Sequence, residues 1–378
     1  PDADETVRVL ERRLSTPTTS RLRRPWRPQW RPRSRDDARD VEPSGDSDRR
    51  SRILFASTLA VTGALALALI AGGALPGTVD QDLGDAPGDA DYIVAADGSG
   101  THETLEAAVA AARDGDTIAV RPGTYDVALE ITSDISIIGD GDPEAVVLQR
   151  QDRGPIMALR DADVTVSGLT VSGPKAWLEV HAGSPVIDGV LFDRLGDSDP
   201  GWSASLSVGG GSTASVRDSL FTDSGRIDII DSAATIAGIE VRDSGPIYVI
   251  GQMDGAAIED SVFTATRGRN GALILQGAGD AVVEGNQFVD NAMGIKVENA
   301  TSTIRDNTFR GNGEAIWVTA LGDPNVEANT IEGNVVGIRV DAHRAPSIVG
   351  NRICDNETDL EFAEPNGITL SGNTICSE

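Results

Sequence analysis

Five residues in the C-terminal two-thirds of the chain, Asp228, Tyr248, Lys296, Trp317 and Arg339, each stand between two aliphatic residues, in IDI, IYV, IKV, IWV and IRV. Strand alternation sends the flanking residues one way and the middle residue the other. If the triplets stack, the middle places form a column: Glu179, Ser207, Asp228, Tyr248, Ile274, Lys296, Trp317, Arg339 and Glu361. Flat aromatic faces beside flexible cations are groups that an acidic glycan would need. Tyr248 and Trp317 would lie three coils apart, roughly 14 Å at the usual strand spacing. Two longer segments, Asp193–Ala204 with Trp202 and Thr264–Gly271 with Arg267 and Arg269, run into these strands. Long loops on a regular scaffold are where binding residues concentrate. The candidate ligand face is therefore Asp228, Tyr248, Lys296, Trp317, Arg339, Trp202, Arg267 and Arg269. An ordinary solvated sheet face is the alternative.

The elements that must hold this column repeat. VEGNQF at Val283 returns as IRDNTF at Ile304, VEANTI at Val326, IVGNRI at Ile348 and LSGNTI at Leu370, at intervals of 21, 22, 22 and 22 residues. Each copy carries an Asn at its fourth place: Asn286, Asn307, Asn329, Asn351 and Asn373. A second Asn follows five residues later in four copies, and then a third strand-like run. A fixed period in the twenties marks a solenoid whose repeats bury their apolar side against one another. Three short strands per coil, broken at the two Asn places, make a three-sided tube with an apolar bore. Asn suits each corner because it tolerates left-handed backbone and its amide can bond local main chain. Stacked amides would form a structural ladder. The Leu-x-x-Leu-x-Leu frame of leucine-rich repeats is missing. The fold class expected is all-β, a right-handed parallel β-helix. Looser coils precede the ladder, with Leu169, Val190, Ser219, Ile239 and Ser261 at the Asn place.

Composition narrows the partners. Residues 1–52 hold 14 Arg and 10 Asp or Glu, a net of +4, which leaves −31 of the whole-chain −27 on the remainder. Such a balance argues against nucleic acid. It fits a high-salt habitat, divalent-cation binding or plain base composition. With three His and two Cys, a metal centre built on those residues is not expected. No cofactor is expected, although Asp-rich turns such as Asp140–Pro143 and Asp197–Pro200 could offer oxygens to Ca²⁺.

Taken in order, residues 1–52 read as a disordered basic cytoplasmic segment. Ile53–Leu75 is 23 residues without a charge, about the length of a membrane span. Arg49, Arg50 and Arg52 before it and Asp80, Asp82 and Asp85 after it place the N-terminus in the cytoplasm. The expectation is a single-pass cell-membrane protein with its C-terminal domain extracellular. A linker spans 76–90 and the β-helix ectodomain 91–378. The chain opens at Pro1 without an initiator Met, so it is expected to be a fragment, and a cytoplasmic domain could precede it. At the start of the ectodomain, Leu105, Ala108, Val109 and Ala112 form a helical stripe that Gly115 stops. This helix would cap the open end of the tube.

Three stretches of that segment, DGSGTHETLEAAVAAA, DTIAVRPGTY and ISIIGDG, resemble the opening of pectin methylesterases and of other pectate-lyase-like β-helix proteins. The resemblance covers about fifty residues. It implies the fold and a carbohydrate-related class. The family's catalytic Gln-and-two-Asp set and its Arg block have no counterpart here. DAHR at Asp341–Arg344 resembles the epimerase tetrad only in part, and His343 is expected in a turn between coils. No catalytic residues are assigned. The functional reading is a membrane-anchored extracellular binding or sensor module for carbohydrate or cell-wall polymer. A polysaccharide lyase, hydrolase or epimerase, and a structural spacer, stay open beside it. Cys354 and Cys376 occupy the same place in adjacent coils, about 4.8 Å apart, inside the range for a disulfide. A bridge is expected there, outward-facing and permitted outside the cytoplasm.

Overall fold

The computed structural model describes residues 90–196, 204–251, 255–268, 270–363 and 367–376. The expected span at Ile53–Leu75 and the segments 1–52 and 76–89 lie outside them. No helix of the described residues is long and apolar enough to cross a membrane.

The described chain is a right-handed parallel β-solenoid of about 12 turns. Each coil supplies one strand to each of three parallel sheets, of 13, 12 and 11 strands among the described residues. The first sheet runs from Tyr92–Val94 to Thr369–Ser371, the second from Gly123–Asp126 to Thr374–Ile375, and the third from Leu129–Ile131 to Thr358–Phe362. Alternation fills the bore. Ile304, Phe309, Ile316 and Val318 of one coil are all fully buried. In the second sheet, Phe263, Phe288 and Phe309 stack face to face, with centroids 4.8 and 4.9 Å apart. Phe192 and Phe221 form a separate stack.

Ahead of the regular coils comes a strand at Tyr92–Val94, then helix α1, Leu105–Ala111. Thr104 caps α1 by accepting from the Ala107 N–H, and Leu105 and Ala108 turn into the core. Glu106 of α1 accepts from the Ala128 N–H, just before the first strand of the third sheet.

The corners differ from the sequence expectation in one respect. The left-handed residue is the one before each ladder Asn: Gly285, Asp306, Ala328, Gly350 and Gly372 have φ between 55° and 69°. That residue turns the chain, and the Asn after it points inward. Asn307 shows what the amide does there. Its Oδ1 accepts from the backbone N and Nδ2 of Asn286, while its Nδ2 donates to Val283 O, Arg305 O and Asn329 Oδ1. A second ladder joins Asn291, Asn312, Asn334 and Asn356. Below the Asn coils, Ser takes over: the Ser261 N–H donates to Asn286, and the Ile239 N–H donates to Ser261 Oγ. A buried backbone N–H left unpaired would be costly, so either side chain serves.

Candidate functional site: the outer face of the third sheet

Register sets the column. Cα pairing runs from Glu179 to Ser207, Asp228, Tyr248, Ile274, Lys296, Trp317, Arg339 and Glu361 without a break. The side chains stand on sheet rather than on loop, which gives them fixed spacing.

Trp317 is the centre of the upper half. Lys296 from the coil before it places Nζ 5.2 Å from the ring centroid, and Arg339 from the coil after places Cζ at 5.3 Å. Cations therefore cover the ring from both neighbouring coils. The indole N–H donates to Asp341 Oδ2 at 3.0 Å, and the same oxygen accepts from Arg339 Nε at 2.8 Å. Arg339 also reaches Glu314 at 3.3 Å, and Lys296 pairs with Glu298 at 3.0 Å. The open aromatic face expected at Trp317 is thus occupied, and what the residue presents is an edge fixed in a charged network.

The middle of the column is more closed than alternation implies. Asp228 is 5% exposed and Ile274 is 3% exposed. Arg226 Nε lies 2.8 and 2.9 Å from the two Asp228 carboxylate oxygens, and its guanidinium covers Tyr248 at 5.5 Å. Burial pushes the Asp228 carboxyl above its ordinary pKa, against the pull of Arg226. The folded state therefore holds that proton more tightly than the unfolded chain. Stability falls as pH rises from the usual carboxylate value through the folded one, and levels off above it. Relative to Asp228→Asn, the wild type should lose urea stability across this window. A difference that does not vary with pH would contradict the placement of this carboxyl.

Other expected residues fall elsewhere. Arg267 ion-pairs with Asp223, two coils back and beyond the end of a second-sheet strand. A cation on a loop that can reach a corner carboxylate goes there rather than onto the sheet. Trp202 and Arg269 lie outside the described residues. His343 is exposed in the turn after the third-sheet strand Val336–Ala342. Sequence reasoning missed a lower cluster, in which Arg160 bridges Glu130 at 3.1 Å and Glu179 at 3.3 Å, and Trp177 donates to Glu179 at 3.3 Å. A usable signal existed. Trp177 and Glu179, Arg226 and Asp228, Lys296 and Glu298, and Arg339 and Asp341 are all i, i+2 pairs, which a strand puts on one face.

The disulfide joins Cys354 and Cys376 across coils with Cα atoms 4.6 Å apart. Cys354, next to inward Ile353 on its strand, is fully buried rather than accessible. Its partner lies directly over it, and Glu332 pairs beside it in the preceding coil.

A search of curated proteins finds no match. Among solved structures, the chain is similar to the A-module of a mannuronan C-5 epimerase of Azotobacter vinelandii, with 16% identity, 72% of this chain and 93% of that one covered, and a TM-score of 0.48. An alginate lyase gives 12% identity, 71% and 49% coverage and a TM-score of 0.47, so this chain spans about half of that protein. A lacto-N-biosidase from Eubacterium ramulus gives 12%, 76% and 68%, and 0.47. Likeness of this degree carries no argument about chemistry. None of these three is a pectin methylesterase. Residues 208–377 match the family model described as the periplasmic copper-binding protein NosD. Among the described residues no three His, Cys, Asp or Glu side chains gather as ligands, and both Cys are spent in the disulfide. Over its C-terminal coils, less than half of its length, the chain is similar to NosD proteins.

Proposed function

We propose that this protein is a glycan-recognition module whose ligand lies along the outer face of the third sheet, on the column from Glu179 to Glu361. The observation that carries this reading is the register-aligned set of Tyr248, Lys296, Trp317 and Arg339 on one rigid sheet. Polar groups already oriented by their neighbours lose little freedom on binding. The Trp317 and Tyr248 rings, held under Lys296, Arg339 and Arg226, offer their edges rather than open faces.

The reading includes placement outside the cytoplasm. The Cys354–Cys376 bridge supports this, and so does the word periplasmic in the description of the matching family. Ile53–Leu75 would hold the domain at a membrane with residues 1–52 on the cytoplasmic side. A cytoplasmic domain upstream of Pro1 would make the face an external sensor.

The test is Trp317→Ala with Tyr248→Ala, read on a glycan array. Loss of a well-packed aromatic contact should weaken binding about tenfold or more. Equal binding by the double variant and the wild type would remove the proposed face. A second reading, an enzyme acting on polysaccharide, is favoured by one observation: Asp228 is buried on a sheet face with its carboxyl pushed up, a state suited to proton transfer. Release of reducing ends or unsaturated product, abolished by Asp228→Asn, would establish it over the first.

A further inference from the structure

Resting on the glycan reading, we infer that the third-sheet face takes uncharged polysaccharides and rejects polyuronates. Among the described residues, four cations on and beside the column already have protein carboxylates. Arg160 is held by Glu130 and Glu179, Arg226 by Asp228, Lys296 by Glu298, and Arg339 by Asp341 and Glu314. Four cations thus face six carboxylates in these pairs alone, on a chain of net charge −27. A uronate seated on Arg339 must share the guanidinium with Asp341 at 2.8 Å and Glu314 at 3.3 Å, or displace one of them. Either way a protein carboxylate lies beside the ligand's own, a like-charge contact that discriminates between partners.

Hydroxyl groups meet no such barrier. They can donate to carboxylate lone pairs that remain open while the cations keep their partners. Glu314 uses Oε1 for Arg339, and its Oε2, though without a donor within the protein, is buried out of a ligand's reach. Asp341 spends Oδ2 on both Trp317 and Arg339, so Oδ1 is the oxygen left to accept. With the Trp317 ring covered by Lys296 and Arg339, the face offers acceptors and polar edges rather than open cationic sites. A neutral polyol matches that inventory.

The experiment uses the whole chain in detergent, immobilised, against β-glucan and mannan as neutral probes and alginate and polygalacturonate as polyuronates. Each is measured at low and high salt, with EDTA and with calcium. The expected result is neutral binding that varies little with salt, and polyuronate binding about tenfold weaker or absent. In Glu298→Gln/Asp341→Asn, which releases Lys296 and Arg339 from those carboxylates, polyuronate binding should rise about tenfold. Circular dichroism checks that the variant keeps its strands. Polyuronate binding by the wild type that equals or exceeds neutral binding, with or without calcium, overturns this inference and leaves the glycan reading standing. A correctly folded double variant with no gain overturns it as well. Binding to neither class sinks the glycan reading itself, and this inference with it.

Discussion

Asn307→Ala is expected to destabilise the solenoid by about 3–5 kcal/mol and to reduce the cooperativity of unfolding. The residue is 1% exposed. Truncation removes both bonds accepted by Oδ1 and all three donated by Nδ2. It leaves the Asn286 N–H and the Val283 carbonyl without these partners inside the tube, where no solvent replaces them. A single net hydrogen bond contributes about 1 kcal/mol, and an orphaned buried group costs about 1–3 kcal/mol. The second effect follows from the architecture. Coils contact only their neighbours, so a weak interface divides the array into blocks that open separately. Urea titration should show a lower midpoint and a smaller m-value, with the lost amide protection centred on the coils at Asn286 and Asn329. A shift below about 1 kcal/mol would mean that the ladder is ornamental. Asn307→Asp should cost at least as much as Asn307→Ala at neutral pH, because it keeps the acceptor but sets a buried carboxylate against the Val283, Arg305 and Asn329 oxygens.

Phe288→Ala is expected to cost about 3–5 kcal/mol, and more than Phe192→Ala. Phe288 is fully buried and stacks on both sides, at 4.8 Å to Phe263 and 4.9 Å to Phe309. Phe192 has a single stacked partner, Phe221. Each ring pair adds about 0.5–1.5 kcal/mol beyond area burial. Parallel strands in register leave little freedom to collapse into the gap. Urea midpoints of the two variants decide the matter; if Phe192→Ala is the more costly, ring stacking is not what distinguishes the sites.

The fold was legible because it repeats. One coil of this chain cannot bury its own apolar side, so the period at Val283, Ile304, Val326, Ile348 and Leu370 dictated stacking. Alternation within each triplet then assigned inside and outside. Even the full Glu179-to-Glu361 column follows from these two rules, since parallel in-register pairing puts equivalent residues side by side. The cysteine bridge was readable for the same reason: equal places in adjacent coils must come within bonding distance.

What the sequence could not reveal lies perpendicular to that periodicity. Nothing in a one-dimensional repeat states that Lys296 and Arg339 close over Trp317, because side-chain torsions decide whether neighbours on a column stack or splay. Nor does alternation show that an outward place such as Asp228 or Ile274 becomes buried, which depends on the bulk of residues one coil away. The corner conformations were misassigned on similar grounds. Asn and its predecessor both favour turns, and only the backbone shows that the predecessor takes the left-handed angle while Asn bonds between coils. Which residues form the face was therefore a property of the pattern. Whether its cations are open to a ligand or already held by Glu298, Glu314 and Asp341 was decided by the tertiary structure, because pairing between coils is set by distance in space and not along the chain.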